Sequence, residues 1–193
     1  MKTIYLLVGS IGSGKTVVGS RIFSYEPYQE IEYIGSDVYK RFFFDTKGNK
    51  LSEGYRRADK LVEYKMYRVC KKGNDFIYEL CPTAQHKIDR IALIKEQYEY
   101  NIVSFFIGTS SVDINIERTK KRYDTENADT ISEEKVRTRY FMTMDNIGQI
   151  TKMSETVYFI DNSDSPNIVA YLSNNDLHIF KHVEWFDKYI LNK

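Results

Sequence analysis

The sequence predicts an α/β fold with a mainly parallel five-stranded sheet flanked by helices, and three observations carry that expectation. First, five short apolar runs rich in β-branched and aromatic residues recur: Ile4 to Val8, Ile31 to Ile34, Phe76 to Leu80, Ile102 to Ile107 and Val157 to Ile160. Their hydrophobicity is near-continuous rather than alternating, as in strands covered on both faces. Second, apolar residues between these runs step by three and four, the spacing of one helix face. Third, strand and helix alternate along the chain, which calls for right-handed crossovers and parallel pairing.

Each helix can be placed by its stripe. Ala58, Val62, Met66 and Val69 mark one, and Ile88, Ile91, Ile94 and Tyr98 a second. Val112, Ile116, Thr119 and Tyr123 mark a third, and Val136, Tyr140, Met144 and Ile147 a fourth. Thr130-Ile131-Ser132-Glu133 reads as a capping box opening the last of these. The tail has a different character. Ile168 to Leu172, a turn over Ser173 to Asp176 and Leu177 to Phe180 predict a hairpin, and Val183 to Leu191 a short closing helix. Hairpin and helix together occupy about residues 166–191.

The chain has 193 residues with no internal repeat, low-complexity tract or linker, so residues 1–193 are read as a single domain. Lys and Arg number 28 against 27 Asp and Glu, a net charge of +1, which argues against nucleic acid held by bulk charge. Two cysteines, Cys70 and Cys81, exclude a disulfide scaffold and fit a reducing cytoplasm. The first apolar run is too short for a membrane span and has no signal-peptide cleavage pattern. A compact cytoplasmic domain without membrane or nucleic-acid partners is the expectation.

The most specific chemistry lies in Gly9-Ser10-Ile11-Gly12-Ser13-Gly14-Lys15-Thr16, a full match to G-x-x-x-x-G-K-[ST]. It follows the first predicted strand directly and runs into a helix through Val17, Val18 and Ile22. Consecutive N–H groups must curl round a polyphosphate, and Gly9, Gly12 and Gly14 remove Cβ atoms that would block that approach, with Ser13 between them. The helix start adds its positive end. Lys15 is expected to bridge the β- and γ-phosphates, and the Thr16 hydroxyl to ligate Mg²⁺. ATP and Mg²⁺ are therefore the expected cofactors of this P-loop. The guanine-selective Asn-Lys-x-Asp sequence is absent, and the chain is short for a AAA or helicase module, which leaves a small-molecule kinase.

Three further signals fit that reading. Asp37, just past the second strand, lies at the carboxyl edge where α/β sheets place ligands. A carboxylate there can accept the proton of an attacking hydroxyl or hold Mg²⁺ through water, and Ser36 or Asp37 can also cap the next helix. Glu79 closes an otherwise apolar strand, a costly place for an acid without a cation or a ligand hydroxyl. It either stands in for the missing Walker B Asp or binds the acceptor, with Thr83 able to donate a further hydrogen bond. Finally, a basic stretch over about residues 118–139 has the makings of a lid. Arg118 and Arg122 share one helix face, Arg118 has no acidic residue three or four positions away, and Arg137 and Arg139 flank the next stripe. A polar loop over Asp124 to Thr130 separates them. At least two of these arginines are expected on the phosphates, Arg122 and Arg139 foremost, because the planar guanidinium meets phosphoryl oxygens bidentately. In Asp161-Asn162-Ser163, Asn162 either lines the nucleotide base or belongs to a turn. His86, His178 and His182 lack metal-ligand spacing and are read as structural or solvent-facing, and Cys81 as a small buried residue.

Taken in order, these motifs resemble the zeta-toxin family of P-loop kinases, particularly its compact chromosomal members. The resemblance rests on the phosphate loop, the Asp37-Val38-Tyr39 segment, and Tyr78-Glu79-Leu80-Cys81-Pro82-Thr83. It continues through Arg118-Thr119-Lys120-Lys121-Arg122, Val136-Arg137-Thr138-Arg139-Tyr140, Asp161-Asn162-Ser163 and the terminal hairpin with its Trp185 helix, covering about residues 3–190. It implies ATP-dependent phosphorylation of a small acceptor; founding members phosphorylate the 3′-hydroxyl of the sugar in UDP-N-acetylglucosamine. On that likeness Lys15 and Thr16 handle phosphate and Mg²⁺, Asp37 resembles the base, Glu79 the acceptor-binding acid and the lid arginines the charge clamp. Two departures stand out: the loop reads Gly-Ser-Ile-Gly-Ser-Gly rather than the commoner form, and no Arg lies between Tyr123 and Ile131. A second lid arginine must then be Arg137 or Arg139. An antitoxin partner is left open, and the alternatives are a nucleoside- or shikimate-type kinase or an ATP-binding regulatory module.

Overall fold

The computed structural model describes residues 2–40, 51–126 and 131–192. Strand β1 (Thr3–Gly9) leads into helix α1 (Lys15–Phe23), followed by β2 (Glu32–Ile34), α2 (Ser36–Lys40) and the long α3 (Leu51–Lys72). Then come β3 (Phe76–Leu80), α4 (Gln85–Tyr98), β4 (Asn101–Gly108), α5 (Val112–Glu126), α6 (Glu133–Met153) and β5 (Thr156–Asp161). Strands β6 (Asn167–Ser173) and β7 (Asp176–Ile179) precede α7 (Glu184–Phe186), which continues as one wider helical turn over Asp187–Leu191.

The strands form one sheet in the order β2-β3-β1-β4-β5-β6-β7. The first five are parallel, as the five apolar runs imply. The sheet nevertheless has seven strands, because the hairpin pairs antiparallel onto β5, from Thr156 opposite Ser173 to Asp161 opposite Asn167. That pairing covers the unsatisfied N–H and C=O row that β5 would otherwise present at its edge.

Helices on both sides explain why the runs do not alternate. On one face Ile4, Leu6, Val8, Phe76 and Phe106 pack with Met66 of α3, Ile91 of α4 and Met144 of α6. On the other, Leu7, Ile77, Phe105 and Ile107 pack with Val18 and Phe23. Trp185 of α7, 1% exposed, closes the first core by lying flat against Gly108, where any Cβ would strike the indole ring. Its Nε1 donates to Asp161 Oδ1 at 3.0 Å.

Two boundaries differ from expectation. Helix α6 is capped by Ser132, whose extended backbone lets its Oγ accept from Lys135 N–H at 3.3 Å. Glu133 and Glu134 then fall in the first turn, where negative charge is favoured. Thr130, the residue expected to cap, lies outside the described residues together with 127–129. Of the loop expected over Asp124 to Thr130, Asp124 to Glu126 instead continue α5, and 127–130 lie outside the described residues. Among the described residues no helix is long and apolar enough to cross a membrane.

The core buries several ionisable groups in neutral form. Burial pushes the phenols of Tyr78, Tyr100 and Tyr140 above the ordinary tyrosine value and lifts the Cys70 thiol to about 11. A group that holds its proton more tightly when folded contributes stability below its unfolded pKa, roughly 10 for a phenol, and loses it as pH climbs towards the folded value. Urea stability is therefore expected to fall above about pH 10, with part of the phenolate absorbance at 295 nm appearing only as the chain unfolds. Titration of all sixteen tyrosines near pH 10 at constant stability would contradict this placement.

Candidate active site

The loop after β1 turns at the carboxyl edge of the sheet, between the ends of β3 and β4. Gly12 and Gly14 have φ of 76° and 88°, a region closed to most side chains. The packing is as strict as the backbone: a Cβ on Gly12 would come within 2.5 Å of the Asn115 carbonyl oxygen, and one on Gly14 would strike Asn162 Nδ2. Lys15 opens α1 as a buried residue, its Nζ donating to the Ser10 carbonyl at 2.9 Å. Thr16 follows in the same first turn and is exposed. Ser13 Oγ is the one buried side-chain polar atom without a hydrogen-bond partner among the described residues. Buried hydroxyls are seldom left so, and an orphan inside a ring of amides suits a phosphoryl oxygen.

Beside the loop, Glu79 of β3 lies opposite Leu7 of β1 in the sheet register. That register brings Oε1 of Glu79 to 3.9 Å from Lys15 Nζ, both side chains being about 10% exposed. Its second oxygen accepts a hydrogen bond from the Tyr33 hydroxyl on β2. Tyr33 is held well above the usual phenol range by burial, then by the charge and hydrogen bond of Glu79 and by the charge of Asp37. Asp37 sits exposed in the first turn of α2, one residue after Ser36. Lys15, Glu79, Tyr33 and Asp37 thus share one corner of the sheet edge. The acid that ends β3 meets a cation, which answers the question its position raises.

The arginines are distributed unequally. Arg118 is half-buried, and its two terminal nitrogens donate to the carbonyls of Asn162 at 2.7 Å and Ser163 at 3.1 Å. Arg137 is exposed and pairs with Asp113 of α5 at 2.7 Å. Arg122 is exposed on α5. Arg139 lines a cleft of about 360 Å³ with Thr83, Ser132, Glu134, Lys135, Thr138 and Met142. The structure therefore brings Thr83 and Arg139 together at one opening, while Arg118 and Arg137 bind protein groups.

Asn162 is buried at the end of β5, and its Nδ2 donates to the Ser13 carbonyl at 2.8 Å, so its amide faces the loop backbone. Cys81 is half-buried rather than buried, its Sγ 3.7 Å from Thr143 Oγ1, because it lies just past the end of β3 rather than inside the strand. His86, His178 and His182 are exposed, the latter two beside Asp176 and Asp187.

Sequence reasoning missed two residues. Tyr33 carries no local signal, since its role comes from a strand pairing 46 residues away. Asn115 does carry one: it falls on the Val112-Ile116-Thr119 stripe, a polar residue on an apolar face. It is fully buried and donates to Ser10 Oγ at 2.6 Å and to the Ile11 carbonyl at 2.7 Å.

Comparison with known proteins bears on the fold and the family. The architecture matches a crystal structure of AvrRxo1-ORF1 with AvrRxo1-ORF2 and sulphate ions at a TM-score of 0.77 and 11% identity, over 98% of this chain. This chain spans 63% of that one. A structure from the PezAT chromosomal toxin–antitoxin system of Streptococcus pneumoniae aligns at 0.62 and 16% identity, over 86% of this chain and 70% of the other. A putative kinase from Chloroflexus aurantiacus aligns at 0.58 and 17% identity, over 72% and 75%. These likenesses show the fold, that of P-loop kinases. No curated protein sequence is a significant match. The family model described as Zeta toxin, however, matches residues 1–183, nearly the whole chain, and with the loop, Glu79 and Asp37 gathered at one sheet edge, this protein belongs to the zeta-toxin family.

Proposed function

We propose that this protein is an ATP-dependent small-molecule kinase that transfers the γ-phosphate of ATP to a hydroxyl. The observation that carries the reading is the meeting of a phosphate loop, its buried Lys15 and the Glu79 carboxylate, with the charge of Asp37 acting on the same Tyr33 that Glu79 binds. The loop amides and Lys15 bind and orient the polyphosphate, and the Ser13 hydroxyl supplies one more polar contact. Thr16 is the residue that would hold Mg²⁺, which when bound supplies charge neutralisation at the β- and γ-oxygens. Asp37 orients the acceptor hydroxyl and takes its proton. Glu79, oriented by the Tyr33 hydroxyl and 3.9 Å from Lys15, binds the acceptor. Arg139, which lines one cleft with Thr83, and Arg122 are the candidates for contact with the transferring group.

For the acceptor we propose a nucleotide-sugar, UDP-N-acetylglucosamine being the first to test, on the strength of family membership. A protein antitoxin is a proposed partner on the same ground, since the S. pneumoniae relative comes from a toxin–antitoxin system. The experiment that tests the reading is a screen of metabolites, UDP-sugars included, for acceptor-dependent ADP release, with the product located by mass spectrometry. Tight ATP binding with no acceptor effect would instead indicate a regulatory module.

Two substitutions sharpen the assignment. Lys15→Ala is expected to abolish acceptor-dependent ADP release while leaving the circular dichroism spectrum unchanged; undiminished turnover would remove the phosphate-loop assignment. Asp37→Asn is expected to lower kcat about 10²–10⁴-fold, the usual range for a general base, with the Mg-ATP Kd held within about twofold. Parallel losses in kcat and ATP affinity would make Asp37 a binding or metal-holding group.

A further inference from the structure

We propose that Asn115 and Asn162 are positioning residues of the phosphate loop: their buried side-chain amides hold the Ile11 and Ser13 carbonyls outward, leaving the loop N–H groups, that of Ser13 apart, free to face inward. The inference rests on the reading that this loop receives a polyphosphate, and it deepens that reading by naming what keeps the loop in its receptive form.

The physical problem is general. In each peptide unit the N–H and C=O point in opposite directions, so a loop that turns its amides towards a central anion turns carbonyls away from it. At a free surface those carbonyls would meet water. Here the outside of the loop is packed against α5 and the end of β5, and each buried carbonyl needs a protein donor. The donors are present one by one. Ile11 O accepts from Asn115 Nδ2 at 2.7 Å, Ser13 O from Asn162 Nδ2 at 2.8 Å and Gly14 O from Val18 N–H at 3.0 Å, while Ser10 O is taken up within the loop itself, by Lys15 Nζ at 2.9 Å and Ser13 N–H at 3.3 Å.

Asn115 is built for this task. It is fully buried, and both its amide atoms are engaged. Nδ2 donates to Ser10 Oγ as well as to Ile11 O, while Oδ1 accepts from Thr109 Oγ1 at 2.5 Å. The orientation of the amide is fixed by its neighbours: a reversed group would set its oxygen against the Ile11 carbonyl, two acceptors face to face. Asn162 is held in turn, its own N–H donating to Gly108 O at 2.9 Å and its carbonyl accepting from Arg118. Both supports therefore come from α5, Asn115 directly and Asn162 through the Arg118 guanidinium. The same two residues occupy the space that a Cβ at Gly12 or Gly14 would need, so the glycines and the asparagines form one fitted unit.

Asn115→Asp is the sharp test, because it keeps shape and the Thr109 contact while replacing the donor by an acceptor. Asn162→Ala, at the more open end of the loop, is the second variant should the first not fold. Amide relaxation of the nucleotide-free protein is expected to show the Gly12 to Thr16 order parameters falling below about 0.6 in either variant, with those of β1 and β4 unchanged. Calorimetry is expected to show Mg-ATP affinity reduced at least tenfold, with AMP affinity, measured by competition, within twofold of wild type. Loop order equal to wild type, or equal losses for Mg-ATP and AMP, would overturn the proposal and leave the asparagines with a general packing role. Wild-type protein that takes up no Mg-ATP would dispose of the polyphosphate reading alone; the relaxation measurement needs no nucleotide and still decides whether the amides hold the loop.

Discussion

Parallel pairing sets β1 between β3 and β4, with Leu7 opposite both Glu79 and Phe105 and with Gly9 opposite Ile107. Everything at the carboxyl edge is located by that register. Because β1 ends in the phosphate loop, its neighbour on one side delivers an acid to the loop lysine. Its neighbour on the other side leads into α5, which supports the loop from behind. The long-range contacts of the site are consequences of strand order rather than of local sequence. The buried, near-continuous apolar runs that hold the strands in this order are what fix it.

Electrostatics then follow from confinement. An ammonium and a carboxylate each about 10% exposed would be costly alone, and the pair at 3.9 Å is close enough to relieve both without the short contact that would lock them together. Tyr33 satisfies the other carboxylate oxygen, so Glu79 keeps a fixed orientation while Lys15 retains a second anchor on the loop carbonyl. On the proposed function, an anion entering the loop would meet a lysine already desolvated. The interaction gains strength from the dry surroundings, at the expense of the weaker pairing it replaces.

How much of this was legible in the linear sequence depended on whether the signal was local. The strands were, because a strand covered on both faces is apolar at every position, and the loop was, because its chemistry needs eight contiguous residues. The hairpin was visible as a hairpin, but its docking on β5 was not, since edge pairing leaves no mark in either partner. The α6 start falls two residues later than expected, at Ser132 rather than Thr130, and serine is the better of the two hydroxyls at a helix N-cap. Charge was the least informative signal. Arg118 and Arg122 stand four apart on one helix, yet Arg118 binds the carbonyls of Asn162 and Ser163, and which acceptors lie opposite a guanidinium is settled by neighbouring elements. Asn115 was readable in principle, as a polar break in an apolar stripe; Tyr33 was not.

Trp185 is the only tryptophan in the chain, pressed on Gly108 and hydrogen-bonded to Asp161, one residue before the asparagine that braces the loop. The protein therefore contains a native optical probe at the junction between its last helix and its nucleotide edge. Its emission should report on that junction without any added dye, in the unmodified chain.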